Sequence, residues 1–156
     1  MMPRCLSNQL ASCIGQSVRV RGWIHALRSL GKVHFLIVRD KKGLIQIVVE
    51  DRAEFAKLSG LQIGSVVTVI AEVTGNDRSH LGVELIHPSI SVEVPIYDAP
   101  NIDYAKPEIP SELDFILDHR ALALRNTKIQ AVFILQAEIA YAYRRYMHDT
   151  VMAVVN

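Results

Sequence analysis

Three observations along the 156 residues predict a mainly β protein. Residues 18–27, VRVRGWIHAL, alternate apolar and polar side chains with the period of two that marks a half-buried strand. Four more strand-like stretches follow, with a short helical segment between the third and the fourth. After the fifth, four of the six prolines crowd between Pro95 and Pro110, a density that interrupts regular structure. Three strands, a helix and two strands make the order of a five-stranded OB-fold barrel with a helix between strands 3 and 4. Here a Pro-rich linker and C-terminal helices follow it. A small SH3-like barrel competes, but that helix fits it less well.

In the first strand Val18, Val20, Ile24 and Ala26 fall on one side, and Arg19, Arg21, Trp23 and His25 on the other. RSLGK (28–32) reads as a Gly-centred turn, and the second strand covers 32–39. DKKG (40–43) joins it to a third strand, 44–50, rich in Ile and Val. Residues 51–60 space Phe55 and Leu58 three apart and end in Gly60, which predicts a helix. The fourth strand is 65–73, the loop is 74–82, and the fifth runs from VELI past Pro88 through ISVEV. Its proline belongs at a bulge or an edge.

Beyond the linker, Ser111 suits a helix N-cap with Asp114 at the third helical position. The last helix, 127–149, aligns Ile129, Val132, Phe133, Gln136, Ala140, Tyr143 and Met147 along one side. So broad an apolar face asks for a covering surface, either the barrel or a second copy, and suggests part of a larger protein. The expected divisions are an extension over 1–16, the barrel over 17–94, a linker or hinge over 95–126, and a last segment over 127–156.

Composition narrows the function. Half of the residues are apolar and about a fifth are charged, the profile of a soluble globular chain. No apolar run is long enough to span a membrane, and the N-terminus lacks the apolar stretch of a signal peptide. Two cysteines, Cys5 and Cys13, point to a reducing cytoplasm, and the six histidines show no metal-ligand spacing. No nucleophile–base pair, paired carboxylates or Gly-rich phosphate loop stands out; GKVHF lacks both the upstream glycine and the Ser/Thr of a P-loop. Residues 1–50 carry eight Lys or Arg against two acids, whereas 51–156 carry nine against fourteen. A basic first third suits a polyanion partner, or merely charged strand edges.

Binding residues are therefore sought on strands 2 and 3 and the loops joining strands 1–2 and 4–5, which OB-folds use for oligonucleotides. Phe35 offers a ring on which a base can stack. Gln46 supplies a donor and an acceptor for an unpaired base edge, and Glu84 an acceptor for base amino groups. Arg28 at the expected turn and Arg21 on strand 1 suit phosphates or a base, with His25 beside them and His80 in the 4–5 loop. Each also has a plainer reading: Phe35 in the core, Gln46 at an edge, His25 on the surface, Glu84 paired with an arginine.

Three stretches carry a family likeness: VRVRGWIHALRSLGKVHFLIVRDKKGLIQIVV, LGVELI, and ELDFILDHRALALRNTKIQAVFILQAEI. They resemble the N-terminal part of class IIb aminoacyl-tRNA synthetases, the aspartyl/asparaginyl group and within it the archaeal-type aspartyl enzymes most. The pattern is G-W-[VI]-x₃-R, a strand ending in R-D, then G-[LI]-[IV]-Q, and later L-D-x-x-L-D-x-R-x-x-x-L-R.

The resemblance implies an N-terminal anticodon-binding OB domain, a hinge, and the first helix of a class II catalytic domain. It places Phe35 against the central anticodon uridine, Gln46 and Glu84 as readers of anticodon bases, and Arg28 as the basic residue of the strand 1–2 region. His25 falls where strictly aspartate-specific relatives carry Trp, which implies charging of tRNA(Asp) and tRNA(Asn) alike. ATP and Mg²⁺ are implied for the parent enzyme, a homodimer, and no cofactor for this chain. The Gly-Phe and the proline-ended strand of the family's first motif do not appear in MHDTVMAVVN, nor do the later ATP-holding motifs, so the chain alone should be inactive. The alternatives are a sequence-neutral single-strand-binding OB protein, and a paralogue derived from an amide-forming enzyme with a decayed reading face.

Overall fold

The computed structural model describes residues 4–109 and 111–150; residues 1–3 of the expected extension and 151–156 of the expected last segment lie outside them. The chain divides into two compact units, Met1–Pro100 and Asn101–Asn156.

In the first unit, β1 (Ser17–Leu30), β2 (Val33–Arg39), β3 (Leu44–Val49), β4 (Val66–Gly75) and β5 (Val83–Val94) form a closed barrel in the order β1-β2-β3-β5-β4. Helix α1 (Arg52–Ala56) lies between β3 and β4. This is the OB-fold arrangement that the strand order predicts. The core follows from the alternation along each strand: Val18, Val20 and Ile24, then Leu36 and Val38, Ile45, Ile47 and Val49, Val67, Val69 and Val73, Val83 and Leu85. Leu10, from a 3-10 helix over Ser7–Cys13, joins them, so the segment before β1 contributes to the core.

Strand β1 departs from the expected alternation. Its register on β2 slips between Ile24 and Ala26, leaving His25 as the extra residue of a β-bulge. Ala26, expected beside Val20 and Ile24, pairs with Ile37 on the outer face, while Leu27 pairs with Leu36 and packs against the core. The expected turn over 28–32 is also shorter. β1 continues to Leu30, which pairs with Val33 around Gly31 and Lys32. Gly31 takes φ +63°, the positive value that the first position of a II′ hairpin turn requires. Arg28 therefore sits within a strand, opposite Phe35.

Two carboxylates fix the barrel's connections. Asp40, 4 % exposed, accepts hydrogen bonds from Ser7 N (2.6 Å), Ser7 Oγ (2.7 Å), Lys42 N (2.7 Å) and Gly43 N (2.9 Å). One side chain thus closes the β2–β3 turn and ties it to the N-terminal segment. Burial pushes its carboxyl upward, but the hydrogen bonds from Ser7, Lys42 and Gly43 outweigh that and hold it below the usual range. The helix expected over 51–60 shortens to α1, capped by Asp51 Oδ1 accepting from Ala53 N (2.7 Å). Glu54 on α1 accepts from Lys57 Nζ and Ile90 N, both at 2.7 Å, which fastens α1 to β5 just beyond Pro88. β5 stays continuous there, with His87 at φ +51° and a register slip on β4 between Ile70 and Glu72.

The second unit holds α2 (Leu113–Asp118), α3 (Arg120–Ala123) and α4 (Thr127–Thr150). The first two lie within the stretch expected as a linker. Glu112, rather than Ser111, precedes α2 as its N-cap, without a side-chain cap bond. Asn126 is the organising residue: its Oδ1 accepts from Lys128 N and Ile129 N at the start of α4, and its Nδ2 donates to the Tyr104 and Lys106 carbonyls. Helix α4 has no buried residue, and Val132, Ile134, Leu135, Ile139, Tyr141 and Tyr143 are all exposed.

Candidate nucleic-acid interface

Strand parity decides which side chains can meet a ligand. Leu36 and Val38 on β2, and Ile45, Ile47 and Val49 on β3, point into the core. The alternate residues, Phe35, Ile37, Gln46 and Val48, are half-buried on the opposite face. Phe35 is not part of the core cluster. It lies outside with Gln46, diagonal to it across the β2–β3 pair.

The register sets the neighbours. One row runs Arg28–Phe35–Val48 across β1, β2 and β3, and the next runs Ala26–Ile37–Gln46. β3 meets β5 in parallel at Ile47↔Leu85, which brings Glu84 beside Gln46. Gln46 Nε2 donates to Glu84 Oε2 at 3.0 Å. The amide is thereby oriented, and its Oε1 is left facing away from the carboxylate as an acceptor.

A cavity of about 190 Å³ opens on this face, lined by His25, Ala26, Arg28, Ile37, Leu44, Gln46, Ser79 and His80. His80 reaches it from the β4–β5 loop, which is folded on itself. Asn76 N donates to Gly82 O, Gly82 N to Ser79 O, and Ser79 Oγ to Val83 O. The bulge at His25 and this loop bring the two histidines into one cavity with Arg28 and Gln46. Phe35 and Glu84 adjoin it through Arg28 and Gln46 respectively. Arg21 lies elsewhere: it is exposed on the half of β1 that pairs with β4, opposite Thr68. Ala26, Ile37 and Ser79 are lining residues that the alternation does not reveal. Ala26 is hidden by the bulge, and Ile37 by an apolar run that gives no sign of its inner face.

A larger cavity, about 600 Å³, lies between Val48, Glu50, Asp51, Ile86, His87 and Pro88. Its two carboxylates oppose phosphate, and Asp51 is already engaged as the cap of α1. The smaller cavity, with Arg28 and no carboxylate in its lining, is the candidate nucleic-acid site.

A closed barrel with base-sized apolar and polar groups on its β2–β3 face is the design of an oligonucleotide-binding module. Residues 18–93 match the family model of the tRNA anticodon type described as "OB-fold nucleic acid binding domain", a match that runs from β1 into β5. The chain is 36% identical over 148 residues to the aspartate–tRNA(Asp/Asn) ligase of Methanococcus vannielii, covering 91% of this chain and 33% of that one. The ligase of the same name from Archaeoglobus fulgidus is 32% identical over 139 residues, covering 86% and 32%. The chain thus spans about a third of the length of these relatives. Among solved structures, asparaginyl-tRNA synthetase from Pyrococcus horikoshii superposes with a TM-score of 0.80 at 24% identity, over 96% of this chain and 35% of that one. Aspartyl-tRNA synthetase from Entamoeba histolytica gives 0.78 at 17% identity, over 95% and 38%. At such identities the superpositions show a shared fold.

Proposed function

We propose that this chain binds the anticodon loop of tRNA(Asp), and through His25 also of tRNA(Asn), as the anticodon-reading part of a cytoplasmic aspartate–tRNA ligase. The observation that carries this is the Gln46–Glu84 pair standing on the outer face beside outward-turned Phe35. The ring stacks the central anticodon base, worth about 1–3 kcal/mol. A uracil edge alternates acceptor, donor and acceptor. The second Nε2 hydrogen of Gln46 can donate to a uracil carbonyl, and an oxygen of the Gln46–Glu84 pair can accept from its N3–H. Arg28, opposite Phe35, meets the flanking base or its phosphate. His25 and His80 close the cavity where the neighbouring base would lie.

ATP and Mg²⁺ serve the parent reaction. Among the described residues no three carboxylates, histidines or cysteines gather as a metal site. The likeness to aspartate–tRNA(Asp/Asn) ligases supports ligase activity for the full-length enzyme. This chain's contribution is to position the tRNA.

Fluorescence anisotropy with anticodon stem-loops carrying GUC, GUU and an unrelated triplet tests the reading. Tight binding of the first two and weak binding of the third is the expected result. Equal affinity for all three would leave a sequence-neutral single-strand binder instead.

A further inference from the structure

The basic residues before the bulge have no place in the reading cavity, yet they form a surface of their own. Arg19, Arg21 and Trp23 lie on the outward side of the first half of β1, and Trp23 is 42 % exposed. Across the sheet, Arg21 aligns with Thr68 and Ser91, and Arg19 with Ile70 and Ser89. Each row thus ends in an exposed serine on β5. Arg4 completes the group: it bridges Arg19 in parallel, and its Nη2 donates to the Arg21 carbonyl at 2.8 Å.

Three arginines are thereby brought to one stretch of the sheet, and among the described residues none of them makes an ion pair. Arg19 Nε is buried with no hydrogen-bond partner. Like charges gathered on one surface raise the local potential and favour an anion. Hydroxyls from Thr68, Ser89 and Ser91 suit a sugar–phosphate backbone, which takes hydrogen-bond donors rather than base-edge readers, and the exposed Trp23 ring can pack against a ribose or an adjoining base. Glu72, opposite Ser17, and Glu93 near the end of β5 bound the patch.

We infer that this face, Trp23–Arg21–Arg19 with Arg4 and the hydroxyls of Thr68 and Ser91, is a second RNA-contact surface. It holds the phosphate backbone of the molecule whose loop lies on the Phe35 face, and so rests on the reading proposed above. One strand links the two surfaces. Arg28 and Ala26 serve the cavity beyond the bulge at His25, and Trp23, Arg21 and Arg19 continue along β1 before it. Alternate strand residues repeat every ~6.7 Å, a step suited to successive phosphates of an extended strand. The contacts are sequence-independent, so they add affinity and salt dependence without discrimination.

The test is a salt series of anisotropy titrations on the full chain, with the GUC stem-loop and an unrelated one, comparing the native protein with the Arg19→Gln/Arg21→Gln variant. Both RNAs should weaken by the same factor, with the slope of log K against log salt shallower by about 1.4–1.8, two phosphate contacts' worth. The preference for GUC should be unchanged. Because Arg19 is half-buried, exposed Arg21→Glu alone serves as a second variant, with circular dichroism to show that it folds. An unchanged slope in folded variants, or losses confined to one RNA, overturns the inference. So does unaltered RNA binding coupled with lost binding of polyglutamate, which would make the partner an acidic protein. If the native chain fails to prefer GUC but the slope still falls, the anticodon reading fails and the backbone surface stands.

Discussion

Gln46 on β3 donates from Nε2 to Oε2 of Glu84 on β5 at 3.0 Å, so two strands that touch in parallel at one residue pair present a single polar group to solvent. Without Glu84 the amide loses the partner that fixes its orientation. Glu84→Ala should weaken binding of the GUC stem-loop by about 1.5–3 kcal/mol, the range for a hydrogen bond to a charged group. The loss should be smaller for an unrelated loop. Because the pair lies outside the core, the thermal midpoint should shift little. Paired anisotropy and calorimetry read both effects.

Phe35 and Leu36 are adjacent but face opposite ways, half-buried outside and fully buried inside. Phe35→Ala should lower affinity for the cognate loop by about 1–3 kcal/mol while the protein remains folded. Leu36→Ala should cost about 2–5 kcal/mol of stability through the cavity it leaves. Urea unfolding of the two variants, alongside binding, separates a stacking ring from a core side chain. A Phe35→Ala chain that melts as low as Leu36→Ala would place the ring in the core.

Asp40 should dominate the acid limb of stability. Its folded carboxyl lies below the ordinary range, despite burial, because Ser7, Lys42 and Gly43 donate to the ionised form. Such a group contributes stability fully present above the unfolded value of about 4 and lost as pH falls through the folded value. Glu54 acts in the same direction, held down first by its hydrogen bond from Lys57, with partial burial opposing and the Ile90 amide assisting. Asp40→Asn should cost about 2–3 kcal/mol at neutral pH and flatten the loss below pH 4. Urea midpoints from pH 7 down to pH 3 measure it.

Gly22 lies where β1 leaves β4 and approaches β2. A Cβ there would overlap the Arg39 carbonyl oxygen and come within 2.7 Å of Val38 Cγ1. Gly22→Ala should therefore cost about 3 kcal/mol by forcing the strands apart. Gly15→Ala, where nothing lies within 4 Å but φ is +79°, separates backbone strain from overlap and should cost less, about 1 kcal/mol. Thermal melts of the two variants give the comparison.

The order of elements was legible because alternation with period two is local. Each strand announces itself through its own neighbours, and Gly60 and the proline cluster mark where regular structure stops. The facing of Phe35 was less legible. VHFLIV is apolar on both faces, so alternation cannot say which side is inner until pairing with β1 and β3 selects Leu36 and Val38. His25 shows the same limit in a sharper form. A one-residue bulge reverses every later side chain of β1, and nothing local in WIHAL signals it.

By itself, the sequence determined that this chain forms a five-stranded barrel with a basic first third, because strand periodicity, turn residues and charge are properties of neighbours along the chain. Only the tertiary structure decided which residues meet. It set Glu84 against Gln46 from 38 positions away, tied Asp40 to Ser7 across 33, and drew His25 and His80 into one cavity. Those contacts depend on barrel closure and on the register of β3 against β5, quantities that belong to pairs of strands and are written in neither strand alone.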